Sequence, residues 1–229
     1  LHSFPTLRSS HLTVARSEGA SSSDPARRLC FNLDYKVDPS LLDQDGADKT
    51  LQPDAALGPT PQQAQLIQEV EMMCFLYIKR FWDKIYDKNR HAKSLDYHTK
   101  YIAWIKHQLD NYDADLVPHA KPEWRERAAN DEYISQMEAK LLAEGSTEGK
   151  LVVHVGRELP AILAGESDAI ELLFKDKLVE NVYRSGVGAE LGYDRMAAYI
   201  DALAHKNPAL RVLEVGAGTG GATRPILKC

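Results

Sequence analysis

The sequence predicts a mainly α chain whose final stretch changes character and begins an α/β fold. Three observations carry that prediction. Apolar residues recur at helical spacing from Leu66 to Leu142, with capping residues at the breaks. Arg211-Val212-Leu213-Glu214-Val215 is short, apolar and rich in valine, which suits a strand. Glycines follow it at once, at Gly216, Gly218, Gly220 and Gly221.

Residues 1–59 read as a linker between domains. Ser9, Ser10, Ser21, Ser22 and Ser23 sit among Gly, Pro, Asp and Ala, and Pro53 and Pro59 follow. One strand is expected over 29–35, where Leu29, Phe31, Leu33 and Tyr35 alternate onto one side. It suits an edge strand that pairs with a neighbouring domain. Arg8, Arg16, Arg27 and Arg28 resemble a targeting peptide in charge only, because Glu18 and Asp24 interrupt them.

A helical body is expected over 60–206. Its first helix has Thr60 as N-cap, Pro61 at the first helical position and Gln63 as capping-box partner. Leu66, Val70, Met73, Ile78, Phe81 and Ile85 form one apolar row. Met72, Phe75, Leu76 and Trp82 widen it, so this helix should be mostly buried. Ser94 is expected to cap a second helix carrying Tyr97, Tyr101, Ile102, Trp104, Ile105 and Leu109. Pro118 and Pro122 break the chain after it. Asn130 caps a third helix, which Gly145 ends. Further helices are expected over 147–158, 160–164, 167–183 and 190–205, with Pro160 starting or kinking one and Asn207-Pro208 ending the last.

Composition narrows the function. The 229 residues carry 28 basic and 33 acidic side chains, a net charge of -5, and 44% are hydrophobic. That allows a sizeable core in one or two domains and gives no basic surface for nucleic acid. No apolar run is long enough for a membrane span. Cys30, Cys74 and Cys229 fit neither zinc spacing nor a disulfide framework, so free thiols in a reducing, cytoplasmic compartment are expected. His91, His98, His107, His119, His154 and His205 are scattered and are read as ordinary surface or core residues.

The glycine turn carries the chemistry. Gly216, Gly218 and Gly221 satisfy G-x-G-x-x-G, and Gly220 also gives G-x-G-x-G. Set between a strand and a helix over 219–228, such a turn lets a ligand approach the backbone closely. Glu214 sits two residues before the first glycine. A pyrophosphate has no use for a carboxylate there, whereas a ligand with a cationic amino-acid end does. Thr219 adds a hydroxyl. The residues favour a methyl donor over a dinucleotide or a turn without ligand.

Leu213-Glu214-Val215-Gly216-Ala217-Gly218-Thr219-Gly220-Gly221-Ala222-Thr223 resembles the first motif of class I methyltransferases. More narrowly, Asn207 through Ile226 resembles the C-methyltransferase domain of fungal highly reducing iterative polyketide synthases. Gly156 through Glu166 and Leu173 through Tyr183 are similar to that family's helical lid subdomain. Leu29 to Pro39 resembles the exit of the preceding dehydratase domain. The resemblance implies a helical N-terminal subdomain over 60–206, followed over 207–229 by the truncated start of a Rossmann-like α/β core.

The cofactor it implies is S-adenosyl-L-methionine, held by Glu214, Gly216, Ala217, Gly218, Thr219 and Gly220; Tyr183 is added as a cofactor-binding candidate on position alone, since it ends a helical stretch near where the sheet is expected to begin. The implied substrate is a β-ketoacyl chain on the phosphopantetheine arm of an acyl carrier protein. Its α-carbon is deprotonated and then methylated. The family's catalytic His–Glu pair lies downstream of the glycine motif, so no catalytic residue is assigned within 1–229. The implied partners are the rest of the methyltransferase core, the neighbouring synthase domains and a second synthase chain in a homodimer. A non-catalytic docking remnant of such a domain and a nicotinamide-dependent reductase are the competing readings.

Overall fold

The computed structural model describes residues 8–13, 32–51, 59–92 and 94–228. They fall into two compact units. Ala56–Ala189 forms one, and Leu1–Ala55 with Glu190–Cys229 forms the other.

The first unit is helical and is built around α2 (Pro61–Arg80). Its start is set by local chemistry. Thr60 accepts from the Gln63 amide at 3.2 Å, and the Gln63 side chain accepts from the Thr60 amide at 2.8 Å. Two amides that the helix itself leaves unpaired are thereby satisfied. Past Arg80 the chain widens into a π turn, Phe81–Ile85, closed by the Tyr86 amide on the Phe81 carbonyl at 2.7 Å. Met72, Met73, Phe75, Leu76, Tyr77 and Phe81 are buried, as expected for a helix that is apolar on more than one face.

Around it stand α3 (Lys88–His91), α4 (Asp96–Asp113), α5 (Trp124–Ala129), α6 (Asp131–Glu144) and α7 (Thr147–Leu163). They are followed by α8 (Ala169–Phe174) and α9 (Leu178–Ser185). α2 packs on α5 and α7, α6 on α7, and α7 on α9. Ile102, Ile105, Trp124, Ile134, Leu141 and Val153 close the core against α2.

The cap at Asn130 holds: its side-chain oxygen accepts from the Tyr133 amide at 3.0 Å. Gly145 ends α6 at φ 74°. Asn130→Ala removes the acceptor and is expected to cost about 1 kcal/mol, read as a lowered urea midpoint with unchanged slope.

Three local expectations are corrected. Ser94 does not cap α4, whose N-cap is Leu95 without a side-chain bond. Its hydroxyl instead donates to the Leu163 carbonyl at 2.6 Å, at the end of a helix far along the chain. Pro160 starts no helix, and the two helices expected over 147–158 and 160–164 are one. α7 runs through Pro160, held by the buried residues Val153, Leu159, Ile162 and Leu163. The expected helix over 167–183 breaks at Asp176 and Lys177, which stand at φ 51° and 59°. That left-handed backbone cannot continue a right-handed helix.

One polar cluster lies inside this unit. Glu138 is buried and accepts from the Tyr77 hydroxyl at 2.7 Å and from Arg157 at 2.6 and 2.9 Å. Burial first, then the bond to Glu138 and its charge, push the Tyr77 phenol far above its ordinary range. It is therefore a neutral donor at any working pH. His91 and His98 are buried, and His91 Nδ1 meets the Asp87 carbonyl at 2.8 Å.

The second unit holds an antiparallel pair, β1 (Arg8–Thr13) and β2 (Asn32–Val37), in register from Arg8 opposite Val37 to Thr13 opposite Asn32. The strand expected at 29–35 appears as β2; its first residues, Leu29 to Phe31, lie outside the described residues, as do Cys30 and Cys229. A 3-10 turn (Pro39–Leu41), α1 (Gln44–Leu51), α10 (Ala189–Lys206) and α11 (Thr223–Ile226) complete the unit. Lys36 pairs with Asp201 on α10.

Asp38 accepts from the Ser40 amide at 2.9 Å, the Ser40 hydroxyl at 2.7 Å and Lys206 at 2.9 Å. The Ser40 hydroxyl, then Lys206 and the Ser40 amide, hold the Asp38 carboxyl at about 2. A carboxyl depressed by folding stabilises above its unfolded value of about 3.9. That contribution is lost as pH falls through the folded value. A carboxyl NMR titration is expected to place the Asp38 midpoint near 2, and Lys206→Gln to raise it. A midpoint at the free-carboxylate value would refute the arrangement.

Candidate cofactor-binding turn

The turn is built from the end of α10 onward. Asn207-Pro208 stops the helix as expected. The Asn207 carbonyl accepts from the Leu210 amide at 2.9 Å, and its side chain accepts from the Ala209 amide at 3.2 Å. Residues 211–215 then run as an irregular segment. The strand expected there is not formed, because it has no ladder partner among the described residues, and a strand exists only through such a partner. Leu213 and Val215 are accordingly 86% and 87% exposed. The helix expected over 219–228 is reduced to α11.

The glycine turn itself is ordered by its backbone. Gly216, Gly218 and Gly220 stand at φ 75°, 53° and 75°. A Cβ built at any of them meets no atom nearer than 3.7 Å. Backbone conformation, and not crowding, is therefore what requires glycine here. The Gly220 amide donates to the Ala217 carbonyl at 2.8 Å, and the Arg224 amide to the Gly220 carbonyl at 3.3 Å. Gly216, Ala217, Gly218 and Thr219 lie on the exposed side of this turn, and Gly220 is half-buried.

Glu214 is exposed, and one of its carboxylate oxygens accepts from the Thr223 hydroxyl at 2.7 Å. This bond ties the segment before the glycines to the first residue of α11 across the turn. The hydroxyl that meets Glu214 is thus that of Thr223. Sequence reasoning placed a hydroxyl at Thr219 and overlooked Thr223. The spacing of nine residues has no local rule, although the side-chain pairing was available in composition. Tyr183 belongs to the helical unit, on α9, and is 57% exposed. Among the described residues no cluster could hold a metal ion, and no helix is long and apolar enough to cross a membrane. Cys74 is an exposed free thiol.

No protein-family model matches the chain, and no solved structure matches it. Curated proteins do. Over 217 residues, 95% of this chain, it is 85% identical to Highly reducing polyketide synthase 40 of Fusarium mangiferae. It is 38% identical over 98% of its length to Highly reducing polyketide synthase NEC1 of Pyricularia oryzae. To Squalestatin tetraketide synthase clz2 of Cochliobolus lunatus it is 28% identical over 93%. The aligned region spans 9%, 8% and 8% of those three proteins. Along nearly its whole length, this chain is a homologue of one short segment of fungal highly reducing polyketide synthases.

Proposed function

We propose that this chain is the part of a highly reducing polyketide synthase that holds the helical subdomain and first S-adenosylmethionine motif of its C-methyltransferase. The observation that carries the reading is the turn after Glu214, with three left-handed glycines in five residues and a carboxylate braced at its entrance. The donor set suits this cofactor. A carboxylate complements the ammonium of its amino-acid end, and the open backbone of Gly216 to Gly220 admits the ligand without a side chain in the way.

When bound, S-adenosylmethionine supplies an electrophilic methyl group for the α-carbon of an acyl chain held by thioester on an acyl carrier protein. The residues of this chain bind and orient. Glu214 takes the ammonium, and the Thr223 hydroxyl fixes the rotamer of Glu214. Gly216, Ala217, Gly218, Thr219 and Gly220 shape the backbone beside it. The reading places the segment in a cytoplasmic, multifunctional synthase of secondary metabolism, among its neighbouring domains and in a dimer.

Calorimetric titration of S-adenosylmethionine tests this. The 229-residue chain is set beside the same region extended by about 200 residues, one domain's worth. A Rossmann-like core needs a parallel sheet, and the described residues contain none. The expected result is binding by the extended chain alone, weakened at least about tenfold by Glu214→Ala, the loss of one charge-assisted contact. Residues 1–229 by themselves are expected to transfer no methyl group. A folded extended chain that ignores S-adenosylmethionine would refute the proposal, and binding of NADPH in its place would favour a reductase.

A further inference from the structure

A cleft in the helical unit, between α2, α5 and α6, has a composition that the glycine turn does not use. Its volume is about 260 Å³, small beside the roughly 300–1,000 Å³ of pockets for drug-sized ligands. It therefore suits a group of fragment size. Met72, Trp124, Tyr133 and Met137 form its apolar walls, Lys121 and Arg127 bring positive charge to it, and His119 adds a hydrogen-bonding imidazole.

Of the two cations here, Arg127 and Lys121, only Arg127 meets a carboxylate among the described residues, in a long ion pair with Glu123. The Arg127 guanidinium lies 5.0 Å from the centre of the Tyr133 ring and donates to Met72 Sδ at 3.3 Å. Its nearest carboxylate oxygen, on Glu123, is 3.8 Å away. Ring and sulfur hold the group in place, and most of its five N–H donors stay available to a ligand. Among the described residues neither Lys121 nor His119 is paired with a carboxylate. The one acid in the wall, Glu69, is already matched by Lys140 at 2.5 Å and by the Gln65 amide at 2.8 Å.

The rim is also held in an uncommon backbone state. His119 stands at φ 66°, in the loop that joins α4 to α5. The Tyr112 hydroxyl donates to the Lys121 carbonyl at 2.6 Å and to the Pro122 carbonyl at 3.1 Å, which fixes where Lys121 enters the rim. Left-handed non-glycine residues cost free energy and persist where the surroundings dictate them, often at ligand clamps.

We infer that this cleft binds a small organic phosphate, with its anionic oxygens on Arg127, Lys121 and His119 and its apolar part against Met72, Trp124 and Met137. The guanidinium fork and the ammonium suit an anion with several acceptor oxygens. The methionine and tryptophan walls suit the carbon body it is attached to.

The test uses the 229-residue chain and phenyl phosphate as probe, followed by the amide NMR shifts of residues 119–133. Saturable shifts with a Kd of about 0.1–1 mM are expected for a ligand of this size. Benzoate and benzyl alcohol should bind at least about fivefold more weakly, and added salt should weaken the phosphate. Arg127→Met keeps the packing volume and should cost about tenfold in affinity. Lys121→Gln, at an exposed position that folding does not need, should cost about threefold. Lys106→Gln, a control whose ammonium pairs with Asp110, should change nothing. Absence of saturable shifts in the cleft, or an affinity untouched by Lys121→Gln and Arg127→Met, would overturn the site. Benzoate binding as tightly as phenyl phosphate would overturn the phosphate assignment. None of these readouts depends on the glycine turn, so either proposal can fail without the other.

Discussion

Gly156→Ala is expected to lower the unfolding temperature of the helical unit by about 6–12 °C, the equivalent of about 3 kcal/mol at 2–4 °C per kcal/mol. In a helix interior this change ordinarily stabilises by up to about 1 kcal/mol. Here a Cβ would stand 2.2 Å from two ring carbons of Tyr77 and 2.6 Å from a third. The ring cannot swing aside freely, since it is buried and its hydroxyl is engaged by Glu138. α7 approaches α2 at Gly156 because that residue has no side chain. Trp82, Trp104 and Trp124 are the chain's three tryptophans, and all lie in Ala56–Ala189, so their fluorescence follows this unit alone. An unfolding temperature left unchanged by Gly156→Ala would show that α7 and α2 do not touch at this point.

The second large effect is expected at Phe81. Its side chain is 1% exposed, with ring centres of Tyr86 at 5.8 Å and His91 at 5.4 Å. Phe81→Ala leaves a cavity that the surrounding aromatic rings refill only in part, and should cost about 3–5 kcal/mol. Phe81→Leu keeps most of the volume and should cost about 1.5 kcal/mol or less. Tyr97→Ala, at a position 62% exposed, should stay within about 0.5 kcal/mol. Urea unfolding followed by tryptophan fluorescence separates the three. Phe81→Ala unfolding at the same urea concentration as Tyr97→Ala would remove Phe81 from the core. The π turn begins at this residue, so the same experiment asks whether core packing is what holds the widened backbone.

Much of the helical unit was legible because its signals are local. Thr60, Pro61 and Gln63 act on one another within a single turn, as do Asn130 and Tyr133, and Gly145 ends α6 through its own φ. Burial of Met73, Leu76 and Phe81 followed from helical spacing alone. What misled was a residue with a local alternative. Ser94 had the chemistry of a cap and spent its hydroxyl on Leu163. Pro160 had the chemistry of a breaker and was carried through by the packing of α7. Asp176 and Lys177 are not glycines, so nothing in residue type announced a left-handed pair.

The candidate site divides along the same line. The sequence by itself determined that Gly216, Gly218 and Gly220 would form a tight turn behind Glu214, since conformational freedom belongs to the residue. It also determined the order of helices, since periodicity and caps act within a few residues. Only the tertiary structure decided that Thr223 braces Glu214, that Gly156 seats the Tyr77 ring, and that Glu138 collects Tyr77 and Arg157. It likewise decided that residues 211–215 stay irregular. A strand, an ion pair with a buried carboxylate and a helix crossing each require a second partner brought from elsewhere in the chain. Spacing along the sequence does not specify which partner arrives.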